Sequence, residues 1–179
     1  MKQNLFSKWN DNKENQFAVL GMSGLGKTYI STQLKKLKNW KHYSVDYEIG
    51  KILFTGNNSL FLEGFSIDNL SNLSLFLGKP GNIGKGGIEF NEYVRRQRLH
   101  KEAEIVATLN SCKEAKKLDY ENFICDTSGS ICELVDPNDP DDKILNKISK
   151  NFLIICLEAS EDIYETLIER FKSSPKPML

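Results

Sequence analysis

The chain has 179 residues, and its 24 lysines and arginines balance 24 aspartates and glutamates, so the formal charge at neutral pH is zero. That length suffices for one domain with a sizeable core, and the balance gives nucleic acid or an anionic membrane surface no electrostatic footing. The leading stretch MKQNLFSKWNDNKENQ is polar and no long apolar run follows, so neither a secretory leader nor a membrane span is expected, and the expected compartment is cytoplasmic.

Taken in chain order, QFAVLG (16–21) predicts a buried strand ending in glycine. KTYISTQLKKLKNW (27–40) predicts a helix with Ile30, Leu34 and Leu37 on one face and lysines on the other. HYSVD (42–46) predicts a second strand ending in an aspartate. Residues 54–92 read as a loop, an insertion or a substrate-side subdomain; LGKPGNIGKGG (77–87) within them is a loop by composition. Residues 91–110 predict a helix whose apolar stripe is Leu99, Ala103, Val106 and Leu109. NFICD (122–126) is the third strand, again ending in aspartate, and VDPNDPDD (135–142) is a surface loop. NFLIICLEA (151–159) is the fourth strand and the most apolar. SEDIYETLIERFK (160–172) opens on Ser160 and acidic residues, as a helix N-terminus should. Cys112, Cys125, Cys132 and Cys156 have no tight metal spacing, and reduced thiols in the core are expected.

Apolar strands alternating with helices predict a single α/β domain over 1–179, with a parallel sheet covered on both faces. Ligands of such sheets bind at the carboxyl ends of the strands. Gly21, Asp46 and Asp126 each fall at such an end, so a glycine loop and two carboxylates share one rim.

The loop LGMSGLGKTY (20–29) fits G-x-x-x-x-G-K-[ST] through Gly21, Gly26, Lys27 and Thr28. Glycines let backbone N–H groups turn inward onto phosphate oxygens, and the helix that follows adds its positive end. The candidate phosphate-binding set is Gly21, Ser23, Gly24, Leu25, Gly26, Lys27, Thr28 and Tyr29. Lys27 would reach the β- and γ-phosphates, and the Thr28 hydroxyl would ligate magnesium. Asp126 is the natural carboxylate for the same ion, directly or through water, or else a turn or cap residue that starts DTSGS. Asp46 could ligate it, act as base on a substrate hydroxyl, bind substrate or cap a helix. DTSGS (126–130) either lines the acceptor side or makes a tight turn. In YVRRQRLHK (93–101), Arg95, Arg96 and Arg98 either clamp an anion or form a solvated face. His100 and His42 are read as structural. ERFKSSPKPML (169–179) is either the start of a lid carrying Arg170, Lys172 and Lys176 or a basic tail.

On these residues the chain resembles the P-loop small-molecule kinases, nearest to shikimate kinase. GMSGLGKT looks like that family's glycine loop, and SVDYEIG (44–50) looks like its D-S-D-x-x-I-E segment, with Asp46 in the place of the substrate-contacting aspartate. DTSGS sits where the family has a glycine triplet, and ERFKSSPKPML looks like its lid, with Arg170 as the lid arginine. Ser44 stands where the family has its magnesium-associated aspartate, and Ser128 and Ser130 replace two glycines of the triplet. The resemblance implies a three-layer P-loop nucleoside-triphosphate hydrolase fold; the family continues past the lid with a strand and a helix, and the expectation is either that this sequence is truncated before them or that the fold has lost them. It implies ATP and Mg²⁺ as cofactors, and Lys27, Asp46 and Arg170 as catalytic groups. LGKPG, CDTSGSICE and KPM also resemble uncharacterised bacterial proteins described only as ATPases. The expected activity is Mg-ATP-dependent phosphotransfer to a small hydroxylated metabolite. The alternative is an ATPase or nucleotide-sensing regulator without an acceptor. NKIS (146–149) lacks the aspartate of the guanine-reading N-K-x-D motif, which disfavours a GTPase.

Overall fold

The computed structural model describes residues 15–55, 73, 76–83, 86–117 and 121–173, with the side chains of Thr55, Arg170 and Phe171 outside that description. Strand β1 (Asn15–Leu20) leads through a glycine loop into helix α1 (Lys27–Lys35). Strand β2 (Trp40–Ser44) runs directly into α2 (Val45–Thr55). Helix α3 (Phe90–Glu114) precedes β3 (Asn122–Asp126). Helix α4 (Lys143–Asn151), β4 (Leu153–Cys156) and α5 (Glu161–Ser173) follow. The strands form one all-parallel sheet in the order β2-β3-β1-β4. The fold is therefore α/β, as the alternation predicts. Every strand points the same way, so Leu20, Ser44, Asp126 and Cys156 end on one rim.

Side-chain alternation divides the sheet's two faces. Ala18, Tyr43, Phe123 and Cys125 join the main core with Val45 and Ile49 of α2, Ala103 and Ala107 of α3, and Ile148 of α4. The Tyr43 hydroxyl donates to the Ala107 carbonyl at 2.8 Å, tying that face to α3. Val19 and Ile124 have the opposite parity and are also buried. Their face is the one against which α1 packs, over β2 and β3.

Two apolar readings need correction. In α1 the buried residues are Lys27 and Ser31, while Ile30 is 38% and Leu37 55% exposed. In α3 the buried face is His100, Ala103, Glu104, Ala107, Thr108, Ser111 and Cys112, and Val106 is 47% exposed. Beside the large polar groups Lys27, His100 and Glu104, the buried residues of these faces are small (Ser31, Ala103, Ala107, Thr108, Ser111 and Cys112), and small residues let a helix approach its neighbours closely. β4, the most apolar strand, is an edge strand among the described residues, with Ile154 and Ile155 partly exposed. Cys112 and Cys125 are buried, but Cys132 and Cys156 are exposed; all four are free thiols.

Other boundaries differ for local reasons. Helix α1 stops at Lys35 because Lys36 and Leu37 N–H groups turn back to Gln33 and Leu34, and Asn39 is left-handed with φ 69°. β2 ends at Ser44, so Asp46 belongs to the first turn of α2 rather than to a strand. Ser44 Oγ accepts from Tyr47 N at 3.3 Å and starts that helix. Much of 54–92 lies outside the described residues, yet Leu73, Phe76 and Leu77 enter the core, so that segment is not loop throughout. In α4 the Asp142 carboxylate caps by accepting from Ile144 N at 2.9 Å and Leu145 N at 2.7 Å. Ile148, one and a half turns on, is 1% exposed. Trimming it to valine should cost about 1 kcal/mol, the usual value for one lost core methyl, measured by urea unfolding.

Candidate functional site

The rim is centred on the loop between β1 and α1. Gly21, Gly24 and Gly26 have φ of 149°, 91° and 87°. Side chains resist that region, and glycine does not. Consecutive N–H groups in such a loop converge into a concave anion-binding surface. Gly26 is the N-cap of α1 and has no side chain with which to cap it. Both features suit an anion at the loop.

Lys27 opens α1 and is 7% exposed. Its Nζ bends back to donate to the Gly21 carbonyl at 2.6 Å and the Met22 carbonyl at 3.0 Å. The ammonium thus stands over the loop's own first residues. Ser23, Thr28 and Tyr29 are exposed, while Leu25 is half-buried.

Three other segments brace this loop. A Cβ on Gly21 would lie 2.8 Å from the Leu157 carbonyl oxygen, just past β4. One on Gly24 would lie 3.0 Å from Leu167 of α5, and one on Gly129 would lie 3.1 Å from Ser23 N. The DTSGS segment therefore presses directly on the glycine loop.

Asp126 ends β3, the strand hydrogen-bonded to β1, and its register partners are Val19 and Ser44. It is 4% exposed and shares its parity with Val19, on the α1 side of the sheet. His42 Nε2 stands 3.7 Å from one carboxylate oxygen, beyond hydrogen-bond range, and has no hydrogen-bond partner among the described residues. Thr127 continues past the strand, its hydroxyl donating to the Val19 carbonyl at 2.7 Å. Asp46 lies half-buried at the same rim, in the first turn of α2. Among the described residues no three His, Cys, Asp or Glu side chains gather as a metal cluster. A hard cation held by Thr28 and Asp126 would then draw its remaining oxygens from phosphate and water, as magnesium commonly does.

The arginine cluster is directed elsewhere. Arg95 makes two bonds to the Glu92 carboxylate, at 2.7 and 2.8 Å. Arg96 reaches Glu92 at 2.8 Å and the Phe76 carbonyl at 2.8 Å, with its guanidinium over the Phe76 ring. These arginines, Arg95 foremost, hold the Glu92 carboxyl down at about 2. Of the expected lid, Arg170 lies in α5 with its side chain outside the described residues, and 174–179, with Lys176, lies outside them entirely.

One group at this rim escapes a reading by motif. Glu104 of α3 is 1% exposed, and both carboxylate oxygens accept from the Ser130 hydroxyl at 2.9 Å. His100 Nδ1 is 3.7 Å from one of them. Its signal in the sequence is a polar stripe at helical spacing, His100, Glu104, Thr108 and Ser111, inside an otherwise ordinary amphipathic helix.

Burial pushes the Glu104 carboxyl up to about 7 and the His100 imidazole down to about 4. The folded state binds the Glu104 proton more tightly than the unfolded chain does. Its contribution to stability is therefore lost as pH rises from about 4.5 to about 7. His100 has the opposite sign, and its contribution grows as pH rises from about 4 to about 6.5. Glu104→Gln removes the first slope. Its stability relative to the wild-type chain should rise with pH across that window in urea titrations.

No protein-family model and no curated protein matches the chain.

Proposed function

We propose that the chain is a P-loop nucleotide-binding protein that transfers the γ-phosphoryl group of Mg-ATP to a small hydroxylated acceptor, in the manner of the shikimate-kinase-like enzymes it resembles. The observation that carries this reading is the loop at the end of β1. It has three positive-φ glycines, a glycine N-cap that puts no side chain at the helix start, and the Lys27 ammonium bent back over it. The neighbouring strand adds a buried carboxylate, Asp126, on the face that α1 covers.

In this reading the loop N–H groups and Lys27 hold the β- and γ-phosphates. Thr28 and Asp126 would hold magnesium, whose chemistry suits a hydroxyl and a carboxylate and which neutralises charge on the phosphates. The acceptor oxygen forms a bond to the γ-phosphorus, and the bond to the β–γ bridging oxygen breaks, leaving ADP. Asp46 orients the acceptor hydroxyl and takes its proton, and Arg170 adds positive charge from the lid. Catalysis of this kind is mostly positioning and electrostatics.

A second reading, an ATPase or nucleotide sensor, is favoured by the exposed apolar side chains of β4 and α5. Ile154, Ile155, Ile163, Tyr164 and Ile168 offer a partner surface outside the nucleotide site. No helix among the described residues is long and apolar enough to cross a membrane, so these side chains belong to no spanning helix.

ADP release from Mg-ATP separates the readings. Release that rises only when hydroxylated metabolites are added supports the kinase. Slow release indifferent to every metabolite supports the ATPase. Asp126→Asn should raise the magnesium concentration for half-maximal release by about tenfold, because one anionic oxygen ligand is lost. An unchanged magnesium requirement would remove Asp126 from the metal site.

A further inference from the structure

Glu104 takes no part in the phosphate chemistry above, yet it is the most deeply buried carboxyl at the rim among the described residues. It is met by hydroxyls rather than by a cation. Ser130 Oγ donates to both its oxygens and lies 2.8 Å from Ser128 Oγ, while Ser130 N donates to Ser128 Oγ at 3.2 Å. Between the serines sits Gly129, whose missing side chain lets the backbone close on Ser23. A Cβ there would stand 3.1 Å from Ser23 N and 3.2 Å from Ser23 Cβ. The segment after β3 is thus tied to α3 through its serines and leans on the glycine loop at Gly129.

We propose that Glu104 is a positioning residue: through Ser130 and Ser128 it holds the Gly129 backbone against Ser23 and so sets the glycine loop for phosphate. The inference rests on the nucleotide reading of that loop. The groups facing Glu104 are His100 on its own helix, Ser128 and Ser130 after β3, Asp46 on α2 and Glu133 on the short turn Ile131–Glu133. None of these is a permanent cation, so the grip depends on the charge of Glu104 itself. An ionised carboxylate accepts a charge-assisted bond from Ser130, and a protonated one makes only a neutral bond. Loop setting should therefore weaken as pH falls through about 7, where burial places this carboxyl.

The test titrates a fluorescent ADP analogue, with magnesium, into the full chain between pH 5.5 and 8.5. Wild type, Glu104→Gln, Glu104→Ala and Ser130→Ala are compared, with folding checked by circular dichroism. Dividing each variant's dissociation constant by that of wild type at the same pH cancels the titration of the nucleotide. Glu104→Gln mimics the protonated carboxyl. Its ratio should be near one at pH 5.5 and about fivefold at pH 8.5, the difference between a neutral and a charge-assisted bond. Ser130→Ala should likewise lose affinity chiefly at high pH, and Glu104→Ala should lose it throughout. Ratios of one at every pH, with wild type binding, overturn the inference and leave the nucleotide reading standing. A loss that does not vary with pH marks mere core support and also overturns it. Failure of the wild-type chain to bind at any pH overturns both. If Glu104→Ala does not fold, the near-isosteric Glu104→Gln and Ser130→Ala decide.

Discussion

Replacing Lys27 with alanine should lower Mg-ATP turnover by at least about a hundredfold, because one preorganised cation over developing phosphate charge is worth roughly 3 kcal/mol. The ammonium already sits at the loop, donating to the Gly21 and Met22 carbonyls. Phosphate oxygens arriving at the loop would compete with those carbonyls for it. The substitution also removes two charge-assisted bonds, so some stability is lost along with activity. Met22 is exposed, however, and water can take up its carbonyl. Urea unfolding run beside turnover separates the two effects, with a change of about 1 kcal/mol expected in stability. Lys27→Arg should not restore activity, since a planar guanidinium is bulkier and fixes its donors differently. Turnover and nucleotide affinity equal to wild type in the alanine variant would show that this loop is only a turn.

How far this site could be read from residue order depends on which physical rule governs each part. The loop is local: Gly21, Gly26, Lys27 and Thr28 are close in sequence, and the strand and helix around them follow from simple patterning. The rim is nearly as legible. Parallel strands bring every carboxyl end together, so Gly21 and Asp126 had to meet once the strands were recognised. Asp46 came with them, displaced only from a strand end to a helix turn. Packing faces were less legible. Ile30, Leu37 and Val106 have helical spacing yet are partly exposed, because Ser31 and the small residues of α3 allow closer contact than large ones would. Glu104 belongs to a polar stripe at helical spacing, but such a stripe ordinarily faces water, and only the fold brings its sequence-distant partner Ser130 to it and buries it. The arginines misled for a similar reason. Charge density marks Arg95 and Arg96, but Glu92, three and four residues before them, engages both.

Gly21→Ala should destabilise the chain by roughly 2–6 kcal/mol, with loss of nucleotide affinity in whatever remains folded. Two costs combine. At φ 149° a side chain meets backbone strain of about 1–3 kcal/mol. The added Cβ would also lie 2.8 Å from the Leu157 carbonyl oxygen and 3.2 Å from Leu157 Cβ. That oxygen cannot simply step aside. Leu157 N donates to the Leu20 carbonyl at 2.8 Å, and Cys156 is the register partner of Leu20, so the contact continues the β1–β4 ladder. Relief would require moving the strand end, at an overpacking cost of about 1–3 kcal/mol. Gly26 provides the internal comparison. Its φ is 87°, but a Cβ there meets nothing within 4 Å. Gly26→Ala should therefore cost only the backbone strain, about 1–2 kcal/mol. The difference between the two variants in urea unfolding, less any difference in their backbone strain, reports the contact with Leu157. If they lose equal stability, the end of β4 yields freely and does not brace the glycine loop. If Gly21→Ala loses more, the loop's shape is held by the edge of the sheet as well as by its own glycines.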